Sequence, residues 1–223
     1  MRHQFSLAYL EAALPDLFGG LITTLQVSLV SIALAAAIGV AVAPLRLFGV
    51  PVLAPLAAGY VAFIRSTPLL PQIFFIFFGL ASLGLPISDY WSGVLALSLW
   101  GGAYNTENVR GGFLAVPRGL REAADALGLR PLHYILLVAL PVALRVAVPS
   151  MLNTSVSVLK NSAYLQTIGL AELTYVAMDR VASDFRTLEM FAALGIAYLV
   201  LVLLLSLAAR RLEQVLQRPF RPA

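Results

Sequence analysis

Three ionisable side chains, Arg65, Glu107 and Lys160, interrupt stretches of chain that are otherwise largely apolar. Charge within such stretches is expensive and marks a functional site by default. Arg65 stands beside Ser66-Thr67-Pro68, where the proline withholds an N–H and frees a carbonyl. Its guanidinium can neutralise a solute carboxylate, pair with Glu107, or cap broken helix ends. Glu107 follows Asn105 and Thr106. It can receive a solute ammonium or form a salt bridge to Arg110 or Arg65. Lys160 and Asn161 close a run that holds Asn153, Thr154, Ser155 and Ser157. Asn153 and Ser157 are four apart and share a helical face, a polar stripe suited to either a solute path or a seam between subunits. Arg65, Thr67, Asn105, Glu107, Asn153, Ser157, Lys160 and Asn161 are the candidates for contact with solute.

Other chemistries are excluded. The chain has no cysteine, and its two histidines, His3 and His133, are too far apart to suggest a metal site. Lys160, the only lysine, follows Leu159, so the Gly-Lys-Ser/Thr of a phosphate-binding loop is missing. No nucleophile stands beside a base. Neither an enzyme active site nor a resident cofactor or metal is expected.

The elements that must position these residues are membrane helices. Of 223 residues, 60% are hydrophobic and 12% charged, against roughly 25% charged in soluble domains. Long unbroken apolar runs argue against a β-barrel. Five spans of one membrane domain read at 21–43, 52–80, 90–108, 142–159 and 188–209. The first lacks a cleavage site and is expected to stay as an anchor. Within it, Ala35, Gly39 and Ala43 recur every four residues, spacing that lets helix backbones approach closely.

Charge sets the expected orientation. Arg210, Arg211, Arg218 and Arg221 follow the last span, and positive charge stays on the cytoplasmic side. Five spans then put the N-terminus outside and the C-terminus inside, with Arg46, Arg110, Arg118, Arg121 and Arg130 inside as well. Glu11, Asp16, Asp89, Glu172, Asp179, Asp184 and Glu189 fall outside, with Arg2, Arg180 and Arg186. The net charge of +4 needs no nucleic acid to explain it.

The segment 115–141 is too polar in its first half to span. Pro117 suits the first turn of a helix and Gly128 its C-terminal cap. Arg118–Glu122 and Arg121–Asp125 can pair along one side, while Leu120, Ala123, Ala124 and Leu127 form the other. Pro131 restarts a short helix and Pro141 marks the start of span four. A shallow, charge-edged helix on the cytoplasmic face suits either a cleft on a soluble partner or the membrane surface.

Glu122-Ala123-Ala124, then Gly128, then Leu140-Pro141, resembles the EAA loop of ABC importer permeases. Val138 stands where that pattern has isoleucine. Arg65-Ser66-Thr67-Pro68-Leu69-Leu70, Ala103-Tyr104 with Glu107 and Arg110-Gly111-Gly112, Lys160-Asn161-Ser162 and Glu172-Leu173 are similar to signatures of the polar amino acid branch. Ser66 replaces a common glycine, Leu120 a common glutamine and Asn161 a common aspartate. The last change slightly favours a neutral or acidic amino acid as substrate.

The resemblance implies an all-α, type I importer-like permease. It further implies a dimer of cytoplasmic ABC ATPases, which bind ATP and Mg and grip the coupling segment. That grip would fall on Arg118, Arg121, Glu122, Ala123, Ala124, Asp125, Leu127, Gly128, Leu140 and Pro141. A second permease subunit, the same chain or a related one, would complete the path in the inner membrane. An extracytoplasmic solute-binding protein would deliver substrate, with Glu172, Asp179 and Asp184 as docking candidates. An ion-gradient-driven secondary transporter is the alternative. It calls for inverted repeats and midplane acids, and neither is visible.

Overall fold

The structure, a computed structural model, describes residues 5–217; Arg2, His3, Arg218 and Arg221 lie outside the described residues. Within them the chain is helical, with no strand. Helix α1 runs Leu7–Leu47, opened by Ser6, whose hydroxyl accepts the Tyr9 N–H at 3.3 Å. Its 41 residues make a rod of roughly 60 Å, twice the hydrocarbon thickness. The excess at the Leu7 end is not idle. Ala13 and Leu17 pack there against Leu173, Ala177 and Met190.

The second apolar run does not form one rod. Helix α2 (Leu53–Ser66) and helix α3 (Leu69–Ser82) meet at 115°. Pro68 enforces an extended break (φ −64°, ψ 146°), because it cannot continue the backbone ladder of the preceding turn. The two halves still progress along one neighbour, helix α4 (Asp89–Leu114). Val61 and Ile64 pack near Ala103, while Leu69 and Ile73 pack near Val94 and Leu97.

Helix α4 sits at the centre. One end meets Val27, Val158 and Leu165; the other meets Ala43, Ala139 and Ala143. Because it is surrounded by protein, it can bury Ser92, Ser98, Asn105 and Thr106. That polarity is why it does not rank among the long apolar helices. Among the described residues, three helices qualify as spans by length and composition, or four if the bent pair is one.

Helix α5 (Arg118–Ala126) follows, and then helix α6 (Pro131–Ile168). Pro141 does not begin the fourth span. A π turn over Ile135–Ala139, in which the Leu140 N–H reaches back to Ile135 O, carries the helix from Pro131 into Leu140–Asn161. The wider turn tolerates a ring that has no N–H to give. Helix α7 (Leu173–Asp184) caps the Leu7 end, and helix α8 (Thr187–Gln217) closes the chain. Met190 meets Ala13 at one end of the bundle. At the other, Arg210 and Glu213 share a cavity with Pro149.

Candidate functional site

A cavity of about 430 Å³ lies between α1, α2 and α4, lined by Arg46, Ala58, Val61, Arg65, Tyr104 and Glu107 among others. Ala58, Val61, Ala62 and Arg65 recur at helical spacing, so α2 turns one face towards it. Glu107 is gripped from two sides, by Arg46 from α1 and by Arg110 at 2.7 Å from its own helix. Of the two partners expected for Glu107, only Arg110 is found. Arg65 makes no ion pair among the described residues and lies over the Tyr104 ring, 5.1 Å from its centroid. Tyr104 in turn stacks on Trp100 at 4.5 Å.

The other path candidates separate. Asn105 is buried and pressed against Gly39, where a methyl group would come within 2.5 Å of the Asn105 Cβ. It is packing, and does not line the cavity. Its amide oxygen accepts from Asn108, which also donates to Thr154 at 3.0 Å. Thr67 serves the helix break: its hydroxyl donates to Phe63 O at 2.9 Å. Gln72 steadies the same break, its amide donating to Ile64 O at 2.9 Å and Thr67 O at 3.1 Å. The sequence reading missed Gln72; a glutamine four residues past a mid-span proline is the signal. Asn153, Ser157 and Lys160 do share one face of α6, with Asn153 and Lys160 exposed; Asn161 is half-buried.

Helix α5 has the length and borders its sequence suggests. Pro117 precedes it in extended backbone, and Gly128 follows at φ +69° with its N–H on Asp125 O at 3.0 Å. Arg121 pairs with Asp125 at 3.1 Å and lies over the Tyr134 ring at 5.0 Å. The expected Arg118–Glu122 pair is not formed among the described residues; both groups stay in solvent. Only Ala124 of this helix is buried, while Leu120 and Leu127 are exposed. The helix meets the rest of the fold sparsely, through Ala124 and the Arg121–Tyr134 contact.

Residues 35–218 match the family described as the binding-protein-dependent transport system inner membrane component. The chain belongs to this family. It is a permease subunit, a transport component and not an enzyme. The permease is 35% identical to the glutamine transport system permease GlnP of Escherichia coli (strain K12) over 213 residues, 95% of this chain and 97% of that protein. It is 31% identical to the arginine transport system permease ArtQ of Bacillus subtilis (strain 168), covering 92% and 94% of the two chains. In fold it resembles a chain of an amino acid ABC transporter crystallised with histidines, with a TM-score of 0.88 and 29% identity over 95% of this chain and 99% of that one. The all-α architecture is that of type I importer permeases.

At the Leu7 end the permease corrects one expectation. Glu172 is fully buried and so offers no docking surface. It caps α7, accepting the Tyr175 N–H at 2.7 Å, and takes the Tyr198 hydroxyl at 3.0 Å and that of Thr24 at 3.4 Å. Burial pushes its carboxyl above the ordinary Glu range. Asp179 and Asp184 are exposed. Arg180 binds both Asp16 and Asp184, and the Tyr9 hydroxyl donates to Asp184 at 2.5 Å. These two contacts hold the Asp184 carboxyl below its usual range, Tyr9 first.

Proposed function

We propose that this permease carries a polar amino acid inward across the cytoplasmic membrane as part of an ATP-driven importer. Helix α5 docks in a separate ABC ATPase, which binds ATP and Mg, and a solute-binding protein delivers substrate to the Leu7 end. A second permease subunit, the same chain or a related one, completes the path. The carrying observation is α5 itself. A helix with exposed leucines, bounded by Pro117 and Gly128 and meeting its own bundle sparsely, is built to be covered by another protein. Nucleotide-driven closure of the ATPases would then bias the permease between two states through contacts that differ between them.

Five crossings of one membrane domain account for the packing. Helices α1, α2 with α3, α4, α6 and α8 alternate in direction along the bundle, which leaves Leu7 and the end of α8 on opposite sides. Arg46, Arg110, Arg118, Arg121 and Arg130 gather at the α5 end, favouring a cytoplasmic location for it. The N-terminus is then outside and the C-terminus inside. Asp179 and Asp184 are left as the docking candidates for the binding protein, and Arg65 and Glu107 line the inner part of the path.

The test is reconstitution. Permease, ATPase and binding protein in liposomes will take up an amino acid only with ATP supplied inside. Uptake driven by a sodium or proton gradient without ATP overturns the reading.

A further inference from the structure

Helix α7 lies antiparallel along the Leu7 half of α1 and is fastened at both ends. At its far end Arg180 holds Asp16, and Asp184 meets Tyr9. At its head Glu172 and Leu173 meet Gly20 and Thr24. The two fastenings differ in kind. The first is made of exposed groups that solvent screens. The second is buried, and backbone touches backbone there: a methyl group on Gly20 would come within 2.9 Å of the Leu173 Cα. One turn on, the Thr24 hydroxyl accepts the Leu173 N–H at 3.0 Å and donates to Glu172 Oε2. Tyr198 of α8 donates to the same oxygen, and the Tyr175 N–H to Oε1. One fully buried carboxyl joins three helices.

Among the described residues no cation pairs with that carboxyl. On α7, Arg180 stands two turns away, occupied by Asp16 and Asp184, and Asp179 beside it is exposed. On α1 the nearest charge is Asp16, two turns before Thr24. On α8, Glu189 lies more than two turns from Tyr198 and is paired with Arg186. From α6, Lys160 shares a cavity with Tyr198 and forms no ion pair with Glu172. Burial without a counter-charge favours the neutral acid, and it holds the Glu172 carboxyl above the ordinary range. The neutral form is accommodated as well. Tyr198 can accept from a protonated Glu172 and turn its own hydroxyl to Thr174, 3.0 Å away.

We propose that a proton on Glu172 latches the α7 cap onto α1 and α8, and that ionisation of this buried carboxyl releases the cap. The latch regulates the Leu7 end, where Asp179 and Asp184 are the docking candidates for a binding protein. It stands on the packing of α7 alone and does not depend on the transport reading.

Hydrogen exchange of the full-length permease in lipid nanodiscs tests it. Amide protection in α7 is followed upward from pH 4.5, the ordinary Glu value, and corrected for the intrinsic pH dependence of exchange. Opening the cap in this window releases one proton, so protection should fall by up to about tenfold per pH unit until the raised value is passed. The sign identifies the group. Asp184, held below its ordinary value by Tyr9 and then Arg180, gives protection that rises with pH. Glu172→Gln should flatten the fall, and Asp179→Asn should leave it in place. A flat or rising profile in the wild type overturns the latch, whether or not the glutamine variant folds. So does a fall that survives Glu172→Gln or disappears in Asp179→Asn. None of these outcomes touches ATP dependence, which the liposome assay measures separately.

Discussion

Glu107 of α4 holds Arg46 of α1 with one carboxylate oxygen and Arg110 with the other. Residues 61 apart in sequence are thereby joined where the first helix ends, and the joint forms one wall of the cavity beneath Arg65. With both partners only about one-fifth exposed, the pair is not fully screened by solvent. A double-mutant cycle with Arg46→Gln and Glu107→Gln should return a coupling of about 1–3 kcal/mol. Thermal denaturation of the detergent-solubilised permease measures it, and additive single effects would dismiss the clamp.

Gly39 tests the close packing of α1 on α4. Gly39→Ala forces its methyl group onto Asn105 and should cost about 1–3 kcal/mol. Gly59→Ala, where nothing lies within 4 Å of the added carbon, should be neutral or gain up to about 1 kcal/mol from helix propensity. Melting temperatures of the two variants, measured side by side, should move in opposite directions or differ by several degrees.

Glu172 predicts a pH dependence. Its folded-state carboxyl is raised by burial above the ordinary value of 4.5, so between those two values the folded chain holds a proton that the unfolded chain has lost. Stability from this group is present below the ordinary value and falls as pH rises towards the raised one. Glu172→Gln removes that term. The gap in melting temperature between the wild type and this variant should move against the wild type as pH climbs through the window. Parallel curves would mean that Glu172 does not titrate as its burial requires.

Gly128 closes α5 in left-handed backbone, where a β-branched side chain costs about 1–2 kcal/mol. Gly128→Val should weaken ATPase co-purification or leave hydrolysis uncoupled from uptake. Gly128→Asn, which tolerates that backbone, should be close to wild type. Equal transport by the valine and asparagine variants would remove the cap from the coupling mechanism.

The borders of α5 were legible because proline and glycine act locally. Pro117 and Gly128 bracket the helix as their backbone chemistry requires. The break at Pro68 was legible for the same reason, but its 115° angle was not, since packing on α4 sets it. Pro141 misled because the π turn before it absorbs the missing N–H. Glu172 reads as a surface acid from its charge alone. Its burial depends on Thr24 and Tyr198, 148 and 26 residues away, which no local pattern joins to it. The Arg46–Glu107 contact has the same character, while the Asn153–Ser157 stripe needed only helical spacing.

The length of α1 has a mechanical consequence. One rod passes from the α7 cap, where Leu17 touches Leu173, to the level of the α5 end, where Ala43 touches Val109. Over roughly 60 Å, a tilt of a single degree about either end sweeps the other by about 1 Å. A lever of that reach lets a slight nudge at the α5 end be felt as a displacement of the opposite mouth, beside Leu7.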